Sequence, residues 1–209
     1  MVNTQQYEYV SAAEAWADRT IASRIIQALT DEPNIRRVMD AGCGNGNLSA
    51  RIAAAGFDVT GFDASASGIE HARRAFPGLR FEVASAYDDF RERLEVPFDA
   101  CACVEVIEHL YDPRAFVDRV HQALRPGGLF VVTTPYHGYI KNLALAMTGA
   151  TDSHYSALWD GGHIKFWSRA TLTTLLEERG FRVIRFEGTG RVPFLWKSMI
   201  VTARKVGSN

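Results

Sequence analysis

The sequence has almost no net charge, because 23 Lys and Arg residues face 24 Asp and Glu residues, giving a formal charge of -1. This balance argues against a broad electrostatic grip on nucleic acid, although it is compatible with a local basic patch. No apolar run is long enough to span a bilayer, so we expect no transmembrane segment. The first residues lack the basic-then-apolar pattern of a signal peptide, which favours a cytoplasmic protein.

Cysteine is also scarce. The three cysteines are an odd number and form no CxxC pair, so we expect free thiols in a reducing compartment and no disulfide framework. Cys101 and Cys103 alternate along a predicted strand and therefore share one face, where small buried side chains are the simplest interpretation.

What is present is an alternation of short β-branched runs with helical patterns, in a chain of the right length for one domain over residues 1–209. Strands are predicted at 35–41, 57–63, 80–84, 98–104 and 129–134. Helices are predicted at 11–29 (with Ser11 as N-cap and Glu14 three residues on), 47–55, 65–75 and 113–124, with a weakly marked polar helix after 84. This order predicts an α/β fold with a mostly parallel sheet and helices on both faces.

The pattern changes after Thr134. Residues 135–163 are rich in Tyr, His, Gly and Trp, with one short apolar helix near IKNLALAM, and we interpret them as a cap over the active site. A helix at 168–179 follows. Strands at 181–187 and near 195–203 then predict an antiparallel hairpin at the sheet edge.

The stretch VMDAGCGNG connects the first strand to the next helix. Gly42, Gly44 and Gly46 permit positive φ and close approach to a ligand beyond the carboxyl end of the strand. Asp63 ends the second strand, where a carboxylate can accept hydrogen bonds from a ribose. Glycines alone are weak evidence, because a tight turn would also use them. The stretch lacks both GxGxxG spacing and the Gly-Lys-Ser/Thr ending of a phosphate-binding loop, and it begins with the acidic Asp40.

On these residues the chain resembles the class I S-adenosylmethionine-dependent methyltransferases. The matching motifs are DAGCGNG, GFD, FDACACVEVIEH and LRPGGLFVVTTP, in the expected order. The resemblance implies a Rossmann-like seven-stranded sheet with the last strand antiparallel. It also implies S-adenosylmethionine as cofactor, with the glycines approaching it and Asp63 on the ribose. The remaining contacts implied are Ala86 and Tyr87 near the adenine, and Val104 and Glu105 near the methionine moiety.

Directly after the fourth strand, CVEVIEHLYDP brings Glu105, Glu108 and His109 together. If a helical turn begins at Val106, the three side chains point to the edge of the sheet where an acceptor meets the methyl group. Two structural alternatives stay open: acidic residues that favour a helix start, and a hydrogen-bond network without function. Asp112 and Pro113 are ordinary helix-start signals.

The segment GGHIKFWSR adds His163. ExxEH after the fourth strand is similar to the motif of the ubiquinone-biosynthesis O-methyltransferases and of the small-RNA 3′-terminal 2′-O-methyltransferases, and the latter also have a histidine before the last helix. The resemblance implies a divalent cation (Mg²⁺, Mn²⁺, Co²⁺, Fe²⁺ or Zn²⁺) held by Glu105, Glu108, His109 and His163. Without a cation, His109 or His137 would act as a general base, so the catalytic candidates are Glu108, His109 and His137.

The aromatic residues of 135–163 suit a small ring-bearing acceptor with neighbouring hydroxyls, such as a catechol or diol. The candidates are Tyr136, His137, Tyr139, Tyr155 and Trp159. Packing without ligand contact, and a shallow membrane or partner contact through Leu143, Leu145 and Met147, are the alternatives. RNA is disfavoured because the arginines are scattered. A metal-independent methyltransferase and a non-catalytic cofactor-binding module are the rival functions.

Overall fold

The structure is a computed structural model, which describes residues 16–155, 157–159 and 161–207. The predicted cap by Ser11 and Glu14 lies outside the described residues. Helix α1 spans Trp16–Thr30. Within the described residues, no helix combines the length and the apolar character needed to cross a membrane.

One seven-stranded sheet forms the centre of the fold, in the order β3-β2-β1-β4-β5-β7-β6. The strands are β1 Arg37–Ala41, β2 Asp58–Asp63, β3 Arg80–Val83, β4 Phe98–Val104, β5 Leu124–Pro135, β6 Phe181–Thr189 and β7 Ser198–Lys205. The pairs formed by β1 to β5 are parallel, whereas β7 runs antiparallel to both β5 and β6. The predicted fold class and the terminal antiparallel hairpin are therefore confirmed.

Helices follow most strands. They are α2 Asn47–Ala54, α3 Ala66–Ala75, α4 Phe90–Arg93, α5 Pro113–Ala123, α6 Tyr139–Met147, α7 Thr151–Tyr155 and α8 Arg169–Glu178. A single 3-10 turn, Ile107–His109, comes between β4 and α5. Helix α5 starts as predicted: the Asp112 side chain accepts a hydrogen bond from the Ala115 amide, and Pro113 occupies the first turn.

Side chains of the central strands alternate between two cores. Val38, Ala100 and Val131 face one layer, which contains Ile25 and Leu29 of α1. Residues of the opposite register face a second layer that contains α5 and α8; they are Met39, Cys101, Cys103, Phe130 and Val132. Cys101 and Cys103 are free and fully buried on one face, as predicted.

The main differences from the prediction concern three elements, β5, β7 and α7. Residues 125–128, which separate the predicted helix 113–124 from the predicted strand 129–134, belong to β5, which pairs Leu124 with Phe98 and resumes pairing at Leu129 with Ala100 after a register shift. Gly127 at φ 73° accommodates this irregularity, and Arg125 Nε donates to Asp99 Oδ1 at 2.6 Å. The last strand begins at Ser198 and not near 195. Helix α7 was not predicted, because its five residues carry no apolar periodicity.

Candidate active site

The carboxyl ends of β1, β2 and β4 meet at one edge of the sheet, where loops enclose a cavity of about 530 Å³. The lining combines small residues with a few polar groups, as expected of a small-molecule site. Its members include Gly42, Asp63, Ala86, Val104, Glu105, His109, Trp159, Gly161 and His163.

The glycine turn has the positive φ angles that the sequence predicted. Contacts within the protein also require glycine at two of its positions. Gly42, Gly44 and Gly46 have φ values of 77°, 53° and 81°. A Cβ atom on Gly42 would lie 2.3 Å from Val106 Cγ2, and one on Gly46 would lie 2.8 Å from Phe81 Cζ. The glycines therefore allow the loop to pack against its neighbours, while Gly42 also lines the cavity.

Asp63 lies at the end of β2 and lines the cavity. Its carboxylate accepts hydrogen bonds from two backbone amides, Gly44 N at 2.9 Å and Ser65 N at 2.7 Å. Burial raises the pKa of Asp63, and these two amide bonds oppose the rise. Since each carboxylate oxygen can accept more than one hydrogen bond, Asp63 is held in place with capacity left for a ligand hydroxyl.

Asp40 lies in β1, directly before the glycine loop. It is 1 % exposed, and Oδ2 accepts a hydrogen bond from Ser49 Oγ at 2.6 Å. Burial raises its pKa to about 7, against the lowering effect of Ser49. Asp40 thus ties β1 to α2, and its predicted cofactor contact stays a prediction.

Of the two residues predicted near the adenine, Ala86 lines the cavity. Tyr87 packs against the larger core, and its hydroxyl accepts a hydrogen bond from the Asp112 amide at 3.2 Å. The tyrosine therefore links the loop after β3 to the start of α5.

Val104 and Glu105 line the cavity from the end of β4. Glu105 adopts φ 52°, an uncommon conformation for a residue with a side chain. Thr133 stabilises it on both sides: its hydroxyl donates to Glu105 Oε1 at 2.9 Å, and its carbonyl accepts from the Glu105 amide at 3.2 Å. The turn thus directs the Glu105 carboxylate toward β5.

Glu108 is the most unusual residue of the site. Its side chain is fully buried in the 3-10 turn, and neither carboxylate oxygen has a hydrogen-bond partner of normal geometry among the described residues. Burial, followed by the negative charge of Glu105, raises its pKa to about 9. At pH 7 the Glu108 side chain is therefore a neutral carboxylic acid, and a cation bound at this position would take the place of its proton.

Two histidines supply the other half of this cluster. Glu108, His109 and His163 each offer a ligand atom, and these atoms lie within 4.8 Å of one another. His163 Nε2 is 3.9 Å from Glu108 Oε1, and the rings of His109 and His163 are 4.9 Å apart. The structure brings together three of the four predicted ligands, while the Glu105 carboxylate accepts the Thr133 bond.

The main chain fixes the orientation of His109. Its Nδ1 lies 3.0 Å from the carbonyl oxygen of Gly161 and 3.3 Å from that of Gly162. Because a carbonyl only accepts, Nδ1 carries the proton and Nε2 keeps its lone pair. This is the arrangement that orients a metal-binding imidazole.

His137 lies apart from the three-residue cluster, in an aromatic environment. Its ring stacks on Tyr155 at 5.9 Å and meets Phe166 edge-on at 5.1 Å. Burial, then the charge of Lys141, lowers its pKa to about 4, so the ring is neutral at pH 7. Neither ring nitrogen has a hydrogen-bond partner of normal geometry within the described part of the chain.

The aromatic residues of 135–163 lie in different environments. Trp159 lines the cavity, Tyr136 is buried in the large core, and Tyr139 is 80 % exposed. The prediction that Tyr139 belongs to a pocket is therefore wrong, because its helix presents that side chain to solvent. Sequence reasoning missed Gly161, whose carbonyl holds His109; its only signal was the glycine pair just before His163.

A family model described as "Methyltransferase domain" matches residues 13–185. The chain is 38% identical over 119 residues to the ubiquinone biosynthesis O-methyltransferase of Xylella fastidiosa strain 9a5c, covering 54% of this chain and 47% of that protein. It is 33% identical over 160 residues to the protein of that name from Psychrobacter arcticus, covering 70% and 59%. The chain thus spans about half the length of these curated relatives.

Solved structures show the same fold at low sequence identity. The magnesium protoporphyrin IX methyltransferase of Synechocystis PCC 6803, with bound SAH, is 20% identical, with a TM-score of 0.68 over 94% of this chain and 90% of that one. The 1,6-didemethyltoxoflavin-N1-methyltransferase of Burkholderia thailandensis is 18% identical, with a TM-score of 0.66 over 92% and 81%. With the family model matching most of its length, the chain belongs to the methyltransferase domain family.

Proposed function

We propose that this protein is a cytoplasmic, S-adenosylmethionine-dependent O-methyltransferase that a divalent cation assists and that acts on a small molecule with neighbouring hydroxyls. The observation that carries this proposal is the buried, unpaired carboxylate of Glu108 beside His109 and His163. The names of the curated relatives support oxygen as the accepting atom.

The cavity fits the cofactor in size and chemistry. Asp63 is fixed by two backbone amides and offers oxygen acceptors to the ribose, and Ala86 leaves room for a flat base. Val104 and Glu105, which the resemblance implies lie near the methionine end, also line the cavity. When bound, S-adenosylmethionine would supply a methyl group that is activated for transfer by its positively charged sulfur.

The donor set fits a divalent cation of the borderline class. One carboxylate and two imidazoles provide mixed oxygen and nitrogen ligands. Among the described residues the Glu108 oxygens have no hydrogen-bond partner of normal geometry, and the His163 ring nitrogen lies 3.9 Å from one of them. Glu105 lies close enough to raise the pKa of Glu108, so it is the candidate for a fourth position. A cation bound there lowers the pKa of a hydroxyl that coordinates it.

The side chains have separate roles in this proposal. Glu108 would provide the negative charge once a cation replaces its proton, and Gly161 keeps Nε2 of His109 available. Both His109 and His163 line the cavity, so an acceptor bound by them stands beside the cofactor site. Trp159, which also lines it, offers a flat surface for an aromatic ring.

The test combines chelation with substitution. Methyl transfer from labelled S-adenosylmethionine to a panel of catechols and diols is measured before chelation, after it, and after Mn²⁺ is added back. Mn²⁺ binding is measured separately by electron paramagnetic resonance. Glu108→Gln is expected to abolish Mn²⁺ binding and cation-dependent transfer, whereas the exposed Glu70→Gln retains both. Transfer that survives both chelation and Glu108→Gln contradicts the role of the cation.

A metal-independent methyltransferase is the second candidate, because His137 is buried with unpaired ring nitrogens and is neutral at pH 7. In that case His137→Gln abolishes transfer while Glu108→Gln leaves it intact. Tight cofactor binding without transfer to any acceptor would instead favour a non-catalytic binding module.

A further inference from the structure

Helix α6, Tyr139–Met147, has an inverted distribution of side chains. Its one buried residue is Lys141, which is 4 % exposed, while Tyr139, Ile140 and Met147 are 80 %, 50 % and 78 % exposed. A short amphipathic helix normally buries its apolar side and leaves lysine in water. Burying a lysine instead costs free energy, which an anionic ligand would offset.

A second cavity, of about 470 Å³, lies beside this lysine. Helices α6 and α7 form its walls, and the loop between β6 and β7 contributes Arg191 and Leu195. Its charged or titratable lining residues are Lys141, His154 and Arg191, and among the described residues that line it none is acidic. The three basic groups come from three separate segments of the chain, so they converge through the tertiary fold.

The basic groups have N–H donors available to a ligand. The Lys141 ammonium donates to the carbonyl of Tyr136 at 2.7 Å, which leaves two of its three N–H groups. Nε2 of His154 is buried without a hydrogen-bond partner among the described residues. Arg191 is exposed at the rim, and no described carboxylate pairs with it.

Electrostatics agree with this geometry. Burial, then the charge of Arg191, lowers the pKa of Lys141 to about 8, and the charge of Glu105 opposes this lowering in part. Burial followed by Lys141 and Arg191 also lowers the pKa of His154, and the neutral ring still has one N–H to donate. An anion between these groups would relieve their mutual repulsion.

We propose that the cavity lined by Lys141, His154 and Arg191 is an anion-binding site that takes a carboxylate or phosphate group. Lys141 forms its floor and Arg191 its rim, so the anion is held by charge-assisted hydrogen bonds from two sides. His137 lies 5.3 Å from His154, ring to ring, and the charge of His163 also acts on His137.

The probes are benzoate and inorganic phosphate, with benzamide as the neutral counterpart of benzoate, titrated into the whole chain by calorimetry. We expect saturable binding of both anions and none of benzamide. Arg191→Met and Lys141→Met are each expected to weaken anion binding by about 10- to 100-fold. Arg182→Met is the matched control, because Arg182 is an exposed arginine on β6 and its substitution removes the same charge.

The proposal is overturned if neither anion saturates the native chain, or if Arg182→Met weakens binding as much as Arg191→Met. The exposed position of Arg191 keeps the test informative even if Lys141→Met does not fold. Because the readout is binding, the result stands whether or not the chain transfers methyl groups.

A second experiment identifies the source of the anion. Methyl transfer to catechol and to a dihydroxybenzoate is compared in the native chain and in Arg191→Met. A fall in kcat/KM for the benzoate alone assigns the anionic group to the acceptor. An equal effect on both acceptors, reproduced in the native chain by removing phosphate from the buffer, assigns the site to a free anion.

Discussion

The Nε2 atom of His163 lies 3.9 Å from Oε1 of Glu108, and the main chain sets this distance. The carbonyl oxygen of Glu108 accepts hydrogen bonds from the amides of Ile164 at 2.9 Å and Lys165 at 3.0 Å. Gly161, on the other side of His163, accepts the bond from His109. The segment 161–165 is therefore attached to the 3-10 turn at both ends, with His163 between the attachments.

The first prediction concerns the stability of the metal-free protein. The pKa of Glu108 is about 9 when folded, against an ordinary value of 4.5. Between these values the folded state holds a proton that the unfolded state has released, so stability falls as pH rises. With a chelator present, the free energy of unfolding is expected to fall with pH more steeply in the native protein than in Glu108→Gln.

Urea unfolding from pH 5 to pH 9 measures this difference. Asp40, whose pKa is about 7, also makes the free energy of unfolding fall as pH rises. Its contribution is the same in both proteins and therefore cancels in the comparison. Glu70→Gln should follow the native curve. Parallel curves for the native protein and Glu108→Gln would mean that the carboxyl is not proton-linked to folding.

The second prediction concerns the cofactor. Asp63→Asn keeps the size of the side chain but replaces one acceptor oxygen by a donor. Binding of S-adenosylhomocysteine is expected to weaken by about 10- to 100-fold, as for the loss of hydrogen bonds to a charged group. Asp58→Asn, at the exposed start of the same strand, is the control. Equal affinities in calorimetry for the native chain and Asp63→Asn would remove Asp63 from the cofactor site.

The third prediction concerns Gly42, where a Cβ would lie 2.3 Å from Val106 Cγ2. Gly42→Ala is expected to destabilise the protein, and Val106→Ala in the same chain is expected to restore part of the loss. The part not restored reflects the φ of 77°, which costs a side chain about 1–2 kcal/mol. A double-mutant cycle of thermal unfolding measures the coupling. Purely additive effects would show that the Val106 contact is not responsible.

The fourth prediction concerns the support of Glu105. Thr133→Val removes the hydroxyl that donates to Glu105 Oε1 and should reduce stability by about 1 kcal/mol. It should also lower kcat more than it raises KM for the cofactor, because Glu105 loses its fixed position while the cavity wall is retained. Thr202→Val, which is buried in β7, controls for loss of a strand hydroxyl. Identical kinetics in both variants would show that Thr133 has a structural role alone.

Much of this architecture could be read from the sequence because each step is local. The short apolar run FDACACV predicted β4 as a buried strand, and Asp112 with Pro113 predicted the start of α5. The glycines of the first loop were predicted from their ability to take positive φ, but their contacts with Val106 and Phe81 required the fold. Those contacts join residues that are distant along the chain.

Only part of the candidate cation site could be predicted from the sequence. Family resemblance linked His163 to Glu108 and His109, but no local pattern shows that the Glu108 carbonyl fixes the later segment. The positive φ of Glu105 follows from its bonds to Thr133, a strand away. Burial of Lys141 in an apolar-looking helix could not be predicted at all, because periodicity alone would place it in solvent.

Gly161 and His163 belong to two environments at once: both line the cavity proposed for the cofactor, Gly161 holds His109, and His163 lies beside Glu108. A ligand that orders this shared wall reduces the entropy left for the other ligand to remove. We therefore expect heterotropic cooperativity, in which cofactor and cation raise each other's affinity by one and the same factor.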